Sequence, residues 1–210
     1  MNVIILGAPG VGKGTQAQLL VDREKFVQLS TGDILRSEQA NGTELGLAAK
    51  LYMERGELVP DTVILNMVAL RMETGKSYLF DGFPRTIAQA EGFETILSGR
   101  GMKIDRVISL EVPFDEIVKR LSSRRVALKS GRVYNLMSNP PKVEGICDVS
   151  GEPLIHRADD QPEAIQVRLQ EYEKKTAPLK QYYERKIGVS IVDANGEVEA
   201  VYRRVKATLA

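Results

Sequence analysis

The chain has one cysteine, one histidine and no tryptophan among its 210 residues. Because Cys147 has no second cysteine to pair with, an internal disulfide bond is excluded, and we expect a reducing, cytoplasmic environment. No apolar run approaches the length of a transmembrane helix, so we expect no membrane partner. The formal net charge is only +1. This near balance gives no reason to expect nucleic acid as a partner.

Apolar residues make up 43% of the chain, which is enough for one sizeable core with small inserted lobes. Short runs rich in branched residues alternate with helical patterns. These predicted strands lie at residues 1–6, 26–29, 77–81, 106–112 and 189–193. The alternation predicts an α/β fold with a parallel five-stranded sheet covered by helices. Ligands of such sheets bind beyond the carboxyl ends of the strands.

The first predicted strand leads directly into a glycine-rich loop, Gly7-Ala8-Pro9-Gly10-Val11-Gly12-Lys13-Gly14-Thr15, and a helical segment follows. Strand, loop and helix in this order are typical of the phosphate-binding loop, or P-loop, of P-loop NTPases. Glycines allow backbone N–H groups to converge on phosphate oxygens at the positive end of the helix. Lys13 adds a positive charge for the outer phosphates. Gly14 stands where serine or threonine usually follows the lysine, so the nearest hydroxyl belongs to Thr15.

Two segments interrupt the predicted core. Residues 30–59 are predicted to form a small helical lobe, whose second helix should bury Leu47 and Leu51. Residues 123–160 lose helical periodicity and contain many turn residues, which predicts a mobile lobe with small strands. The remaining segments, which should form the core, are residues 1–29, 60–122 and 161–210.

Arginines are concentrated near the edges of these lobes and on the core loops. They are Arg36, Arg85, Arg120, Arg124, Arg125, Arg132, Arg157 and Arg168. Guanidinium groups suit phosphate oxygens, and phosphoryl transfer needs charge neutralisation and alignment more than it needs a nucleophilic side chain. A single arginine is more often a solvated surface charge. The clustering of several arginines near the lobe edges and core loops favours a phosphoryl-transfer site.

Acidic residues near this site have more than one interpretation. Asp81 ends a predicted strand and could hold magnesium through water, as a Walker-B acid does, or could cap a turn. Asp159 and Asp160 precede a helix and could act as a hinge, as a plain N-terminal cap or in contact with phosphate-binding groups. His156, the single histidine, is interpreted as a surface or locally bonded side chain.

Several motifs, in order along nearly the whole chain, resemble those of adenylate kinases. They lie at residues 7–15, 30–33, 56–61, 81–86, 139–142, 157–160 and 176–179. The Lys-Gly-Thr ending of the P-loop is the family form, and residues 123–160 resemble the long lid of bacterial members. The resemblance implies a reversible Mg2+-dependent phosphoryl transfer from ATP to AMP that gives two ADP, by charge stabilisation and lobe closure. It also suggests a monomer.

Matched positions imply two nucleotide sites. Those implied for ATP are Gly10, Val11, Gly12, Lys13, Gly14, Thr15, Arg120, Arg124, Val133, Tyr134 and Gly196. Those implied for AMP are Thr31, Arg36, Glu57, Leu58, Val59, Gly82, Phe83, Pro84, Arg85, Gln89, Arg157 and Arg168. Gln89 is expected to read the adenine edge. The catalytic residues implied by the resemblance are Lys13, Arg85, Arg124, Arg157 and Arg168.

The expected lid departs from a frequent family pattern in which four cysteines hold a zinc ion. The matching positions are Ala127, Ser130, Cys147 and Ser150. One thiolate cannot complete a tetrahedral zinc site, and Ala127 cannot join a polar substitute for it. We therefore expect no structural zinc, a lid held by Ser130, Ser150 and local turn hydrogen bonds, and Cys147 as a small packing residue.

Two alternative functions remain open at this point. A related kinase could phosphorylate UMP, CMP or GMP, because Thr31 and Gln89 favour AMP through the resemblance only. A nucleotide-binding switch without catalysis is the second alternative. The chain has no guanine-reading Asn-Lys-x-Asp segment, and its arginines on both sides of the phosphates favour transfer over binding alone.

Overall fold

The computed structural model describes residues 1–209. Its strands are β1 (Asn2–Leu6), β2 (Val27–Ser30), β3 (Tyr78–Asp81), β4 (Arg106–Glu111), β5 (Arg124–Val126), β6 (Val133–Asn135) and β7 (Ser190–Asp193). Five of them form a sheet in the order β2-β3-β1-β4-β7, in which all neighbouring strands are parallel. Strands β5 and β6 form a separate antiparallel pair. The predicted α/β fold with a parallel five-stranded sheet is confirmed.

The helices surround this sheet. In the described part of the chain they are α1 (Lys13–Glu24), α2 (Thr31–Ala40), α3 (Glu44–Glu54), α4 (Asp61–Ala69), α5 (Ile87–Ser98), α6 (Phe114–Ser122), α7 (Pro162–Glu171), α8 (Pro178–Glu184) and α9 (Val198–Ala207). A 3-10 turn (Ala158–Asp160) precedes α7, and a π-helical turn (Tyr172–Thr176) joins α7 to α8. None of the helices found in residues 1–209 has the length and apolar character needed to cross a membrane.

Strand β1 is buried on both faces because apolar cores lie on both sides of the sheet. Alternate side chains of a strand point to opposite faces. Ile4 packs into one apolar cluster with Phe80 and Phe93, whereas Val3 and Ile5 pack into a second cluster. This double coverage fixes the carboxyl end of β1, from which the P-loop begins.

The prediction that α3 buries Leu47 and Leu51 is wrong. Leu47 and Leu51 are exposed by 58% and 63%, and Gly46 and Ala49 are buried instead. The cause is the close packing of α3 on α2: a Cβ atom on Gly46 would lie 2.2 Å from the carbonyl carbon of Glu38. Small residues therefore define the contact face, and the leucines lie on another side of the helix.

Glu152 is the centre of the hydrogen bonds that hold the segment containing β5 and β6. Its carboxylate accepts from the backbone N–H groups of Lys129 at 2.7 Å and Ser130 at 2.8 Å, and from the Ser150 hydroxyl at 2.7 Å. The predicted participation of Ser130 and Ser150 is confirmed. Glu152 was not predicted, because no pattern in the sequence links it to Lys129 and Ser130, which lie 23 and 22 positions earlier.

Cys147 is buried beside Ala127 and Tyr134, as expected for a packing residue. Its Sγ lies 3.6 Å from Ser130 Oγ and 3.5 Å from Tyr134 Oη. Burial raises the pKa of the thiol, but hydrogen bonds from Ser150, Tyr134 and Ser130 outweigh it and lower the pKa to about 6. Residues 1–209 contain no group of three or more His, Cys, Asp or Glu side chains arranged to hold a metal. That the lid binds no zinc stays a prediction.

Candidate active site

The P-loop connects β1 to α1 and places Lys13 at the first position of that helix. Gly10 and Gly12 have φ angles of +84° and +111°, which other residues rarely adopt. Lys13 Nζ folds back over the loop and donates to the carbonyl oxygens of Gly7 at 2.7 Å and Ala8 at 2.9 Å. Within residues 1–209, the ammonium group of this lysine therefore has only backbone oxygens as hydrogen-bond acceptors.

Burial lowers the pKa of Lys13 to about 7. The nearby Asp81 carboxylate opposes this shift, whereas the positive charges of Arg85, Arg168 and Arg124 add to it. Because these charges affect the pKa of Lys13, the ammonium group of Lys13 and the three guanidinium groups must lie close together. A ligand with several negative charges would favour the charged form of Lys13.

Asp81 ends β3 directly beside the P-loop. Its Oδ2 accepts a hydrogen bond from Gln28 Nε2 at 3.1 Å, and a Cβ atom on Gly14 would lie 3.6 Å from the same oxygen. Burial raises the pKa of Asp81, although the charge of Lys13 lowers it. The residue after the P-loop lysine thus has no side chain on the side that faces this carboxylate.

The loop after β3 carries Arg85 into the same cleft. The carbonyl oxygen of Gly82 accepts from Thr31 Oγ1 at 2.8 Å and from Arg85 Nε at 2.7 Å. Thr176, in the π-helical turn, donates to the carbonyl oxygen of Arg85 at 2.8 Å. Burial and the charge of Arg168 lower the pKa of Arg85 to about 10, so the guanidinium stays charged at neutral pH.

Gln89 is buried near the start of α5, with both ends of its amide engaged. Its Oε1 accepts from the backbone N–H of Arg85 at 2.8 Å, and its Nε2 donates to Asp61 Oδ1 at 2.7 Å. Asp61 Oδ2 accepts from the Thr86 hydroxyl at 3.0 Å. The amide is therefore held by the first residue of α4 and by the backbone of the loop that precedes α5.

Carboxylates hold the arginines on the other side of the cleft. Asp160, whose side chain is fully buried, accepts from Arg124 Nε at 2.7 Å and from Arg168 at 2.8 Å, and Arg124 makes a second, shorter hydrogen bond to it. Arg168 also lies 3.2 Å from a carboxylate oxygen of Asp159. Ion pairs with this geometry fix guanidinium groups that long side chains would otherwise leave mobile.

A second set of ion pairs holds Arg36 and Arg157. Arg36 donates to Asp33 at 2.5 Å and lies 3.9 Å from Asp159, and Arg157 lies 3.6 Å from Asp33. Burial and the charges of Arg36 and Arg124 lower the pKa of Arg157 to about 9, which leaves it charged at neutral pH. Its buried Nε has no hydrogen-bond partner among the described residues. An unpaired buried donor is costly, and an anionic ligand would satisfy it.

Arg120 links the P-loop to the loop after β7. It donates to the carbonyl oxygens of Val11 at 3.1 Å and Ala194 at 3.2 Å. Asn135, at the end of β6, donates in turn to the carbonyl oxygen of Arg120 at 3.1 Å. Arg120 therefore connects the P-loop with the loop after β7 through its side chain, and with the end of β6 through its backbone.

One continuous cleft is lined by nearly all the predicted site residues. It contains Asp81, the P-loop residues Gly10 to Thr15, and the residues predicted on both inserted segments. The predicted residues in the cleft beyond Asp81 and the P-loop are Thr31, Arg36, Glu57, Leu58, Val59, Gly82, Pro84, Arg85, Gln89, Arg120, Arg124, Val133, Tyr134, Arg157, Arg168 and Gly196.

Phe83 is the exception. Its side chain is 1% exposed and packs into the core, with its ring centroid 4.8 Å from that of Phe93. The motif that contains Phe83 enters the cleft through Gly82, Pro84 and Arg85, whereas the apolar ring turns inward because the core lies on that side. The structure does not bring the side chain of Phe83 to the site.

Several residues that organise the site were not predicted. Asp33, Asp61, Thr176 and Gln28 hold predicted site residues in place. Asp33, Asp61 and Thr176 lie within the motifs that carry the family resemblance, so the motifs could have found them. Gln28 lies in none of those motifs, and only the pairing of β2 with β3 brings it to Asp81.

Comparisons with known proteins agree with this geometry. The adenylate kinase family profile matches residues 5–188. Proteins named adenylate kinase are 46% identical over 212 residues in Shouchella clausii (100% of this chain, 98% of theirs) and 46% identical over 213 residues in Methanosarcina mazei (100% and 99%). A third, from Thermodesulfovibrio yellowstonii, is 45% identical over 212 residues (100% and 99%). The chain belongs to the adenylate kinase family.

Proposed function

We propose that this cleft is the site where the chain transfers the γ-phosphoryl group of ATP to AMP, giving two ADP. The observation that carries the proposal is the convergence of Lys13, Arg85, Arg124 and Arg168 on one cleft beside the P-loop. Phosphoryl transfer is catalysed by positioning and by stabilisation of negative charge rather than by a nucleophilic side chain. A cleft with positive charge on both sides of a polyphosphate meets that need.

The donor site is assigned to the P-loop side of the cleft. The backbone N–H groups of Gly10 to Thr15 would hold the ATP phosphates at the N-terminus of α1, with Lys13 on the outer phosphates. Arg120, Val133, Tyr134 and Gly196 would surround the nucleoside. Arg124 would reach the phosphates from the β5–β6 segment.

The acceptor site is assigned to the opposite side. Arg36, Arg85, Arg157 and Arg168 would bind the phosphate of AMP and the group in transfer. The residues that would enclose the nucleoside of AMP are Thr31, Glu57, Leu58, Val59, Gly82, Pro84 and Gln89. The side chain of Phe83 supports this pocket from the core rather than touching the nucleotide.

The transfer step places an oxygen of the AMP phosphate in line with the γ-phosphorus of ATP. That oxygen forms the new bond as the bond to the β-phosphate oxygen breaks, and the leaving group is ADP. The attacking phosphate oxygen carries no proton at neutral pH, so the step needs no general base. Arg85, Arg157 and Arg168 would stabilise the charge on the transferred group, and the unpaired Nε of Arg157 is available for a phosphate oxygen.

Magnesium fits the residues beside the P-loop. Mg2+ prefers oxygen ligands, keeps several waters, and is usually bound by one or two carboxylates together with substrate phosphates. Asp81 would supply one such carboxylate through water and Thr15 would supply a hydroxyl, and Gly14 leaves the adjoining space free of a side chain. Bound there, the ion would offset negative charge on the β- and γ-phosphates.

Closure of two inserted lobes would exclude water. We propose residues 30–59 as the AMP-binding lobe, residues 123–160 as a long lid, and residues 1–29, 60–122 and 161–210 as the core. Water that reached the γ-phosphate would hydrolyse ATP, so closure of the lobes over the cleft with both nucleotides bound would protect the donor. We also propose that the enzyme is a monomer and works in the cytoplasm.

The direct test is ADP formation from ATP with each nucleoside monophosphate, with and without Mg2+. AMP should be the preferred acceptor, two ADP should form per AMP consumed, and chelation of Mg2+ should abolish turnover. A preference for UMP, CMP or GMP over AMP would refute the acceptor assignment. Nucleotide binding without ADP formation would refute the transfer itself.

A further inference from the structure

We propose that Asp61 is a positioning residue that fixes the amide orientation of Gln89 and thereby sets the preference of the acceptor pocket for adenine over hypoxanthine. The inference rests on the proposed function, in which Gln89 reads the edge of the acceptor base. It adds a residue from a different helix, which does not itself have to touch the nucleotide. Asp61 is the first residue of α4, and Gln89 is the third residue of α5.

The hydrogen bonds of Gln89 permit only one orientation of its amide. The Asp61 carboxylate has no hydrogen to give and must accept, so it faces Nε2, which lies 2.7 Å from Oδ1. The backbone N–H of Arg85 can only donate, so it faces Oε1, at 2.8 Å. Exchanging the two ends of the amide would place donor against donor and acceptor against acceptor. The orientation is thus fixed by chemistry from both ends.

What remains on Gln89 is one N–H of Nε2 and the second lone pair of Oε1, in a fixed order. Gln89 is 1% exposed and lies in the wall of the cleft, so solvent does not offer alternative partners. Adenine presents an acceptor at N1 and a donor at its 6-amino group, which this order complements. Hypoxanthine presents the reverse, a donor at N1 and an acceptor at O6. The same pocket therefore opposes hypoxanthine through the order of its hydrogen-bonding groups, not through its size.

Asp61 is itself held in place. Its second oxygen accepts from the Thr86 hydroxyl at 3.0 Å, and Thr86 caps α5 by accepting from the backbone N–H of Gln89 at 3.0 Å. A purely structural role for this cluster, the joining of α4 to α5, is the competing explanation. That role predicts lower stability in variants but the same ratio of activity on the two bases.

The experiment measures kcat/KM with MgATP for AMP and for IMP, whose base is hypoxanthine, in the wild type and in Asp61→Asn. Because aspartate and asparagine have nearly the same shape, the variant removes the negative charge and replaces one acceptor oxygen by a donor N–H2 group. When the asparagine oxygen stays with the Thr86 hydroxyl, its N–H2 faces Gln89 and opposes Nε2. Asp61→Leu, which offers Gln89 no acceptor in any rotamer, is measured beside it. We expect the AMP to IMP ratio to fall about tenfold, mainly through a higher KM for AMP, because one buried polar group loses its partner.

A double variant reverses the order of donor and acceptor that residue 89 presents to the base. In the double variant Asp61→Asn with Gln89→Glu, the new carboxylate accepts from the Arg85 N–H and from the asparagine, and presents an acceptor to the base. We expect its AMP to IMP ratio to fall below that of Asp61→Asn alone. Gln89→Glu alone places two carboxylates next to each other. We therefore expect the double variant to unfold at a higher temperature than the single variant Gln89→Glu.

Asp115→Asn is the matched control, because Asp115 is exposed on α6, away from the cleft. It should keep the wild-type AMP to IMP ratio. An AMP to IMP ratio within twofold of the wild type in both Asp61→Asn and Asp61→Leu would overturn the positioning role while leaving AMP phosphorylation intact. A wild-type enzyme that does not phosphorylate AMP would instead overturn the proposed function on which the inference rests.

Discussion

The P-loop wall of the cleft, Gly7 to Thr15, is made of consecutive residues, whereas the arginine wall is assembled from Arg36, Arg85, Arg124, Arg157 and Arg168, far apart in the chain. The first is positioned by its own backbone between β1 and α1. The second is positioned by carboxylates, chiefly Asp33, Asp159 and Asp160. Local geometry therefore sets one wall, and long-range ion pairs set the other.

The two walls also differ in how their charges are satisfied without ligand. Lys13 donates only to carbonyl oxygens of its own loop, and burial lowers its pKa to about 7. Most of the arginines already have carboxylate partners. The P-loop wall should therefore depend on its ligand for charge balance, whereas removal of a carboxylate from the arginine wall should leave a buried charge unpaired and destabilise the fold.

The largest expected effect belongs to the P-loop wall. Lys13→Met should lower kcat for ADP formation about 10³-fold, because a positive charge at the phosphates is lost in a water-poor site. Since the lysine is buried without a hydrogen-bonded carboxylate, the free energy of unfolding should not fall. Steady-state kinetics and denaturant unfolding measure both quantities, with exposed Lys50→Met as the matched control. A marked loss of stability in Lys13→Met would erase the contrast between the walls.

The arginine wall should respond differently to loss of a charge. Asp160→Asn should lower the free energy of unfolding by about 3 kcal/mol, because Arg124 and Arg168 lose a buried ionic partner. Asp115→Asn removes an exposed ion pair in which Asp115 lies 3.8 Å from Lys119 Nζ. This variant should change the free energy of unfolding by less than about 0.5 kcal/mol. Chemical denaturation at pH 7 provides the comparison. Equal values for the two variants would mean that the carboxylates of the arginine wall do not support the fold.

A smaller effect is expected where the backbone brings α7 close to the acceptor side. Gly56 has a φ of +75°, and a Cβ atom there would lie 2.7 Å from the carbonyl oxygen of Ala164 and 2.9 Å from a side-chain carbon of Arg168. Gly56→Ala should cost about 2 kcal/mol of stability and raise KM for AMP, because it adds overpacking to backbone strain.

Gly42→Ala isolates the backbone component of that cost. Gly42 has a similar φ of +66°, but no atom lies within 4 Å of the added carbon. Its cost should be about 1 kcal/mol, with KM for AMP unchanged. Thermal unfolding and kinetics of both variants measure the difference. If Gly42→Ala is as costly as Gly56→Ala, the close approach to Arg168 has no energetic consequence.

The smallest expected effect is the uptake of a proton when ATP binds. With a pKa of about 7, Lys13 is mostly neutral at pH 8 in the free enzyme, and polyphosphate favours its charged form. Binding of ATP at pH 8 should therefore take up nearly one proton, and affinity should weaken as pH rises above 7. Between pH 7 and 10 the unfolded chain holds this proton and the folded chain does not, so Lys13 alone makes stability rise with pH.

Calorimetry in buffers of different ionisation enthalpy measures this uptake. Lys13→Met corrects for protons that the nucleotide itself exchanges, so the relevant quantity is the difference between the two proteins. An equal uptake by both would show that Lys13 is already charged before ATP binds.

How well the sequence predicts each wall follows from how that wall is built. The course of the P-loop between β1 and α1 could be predicted, because it depends on neighbouring residues such as Gly10 and Gly12. The arginines could be identified from their motifs, but the pairing of Asp33 with Arg157 depends on how distant segments pack. For the same reason, Leu47 was assigned to the wrong face of α3: the contact with α2 is decided by Gly46, which carries no apolar signal.

The central claim is that the P-loop wall holds the phosphates of the donor, whereas the arginine wall acts on the acceptor and on the group in transfer. Arg85→Ala separates these roles when the ATP dissociation constant and the single-turnover rate of ADP formation are measured on the same protein, with exposed Arg185→Ala as the control. The transfer rate should fall about a hundredfold or more, because charge stabilisation of the transferred group is lost, while ATP binding without AMP stays within about threefold. An unchanged transfer rate, or an equal loss of ATP binding, would contradict the account.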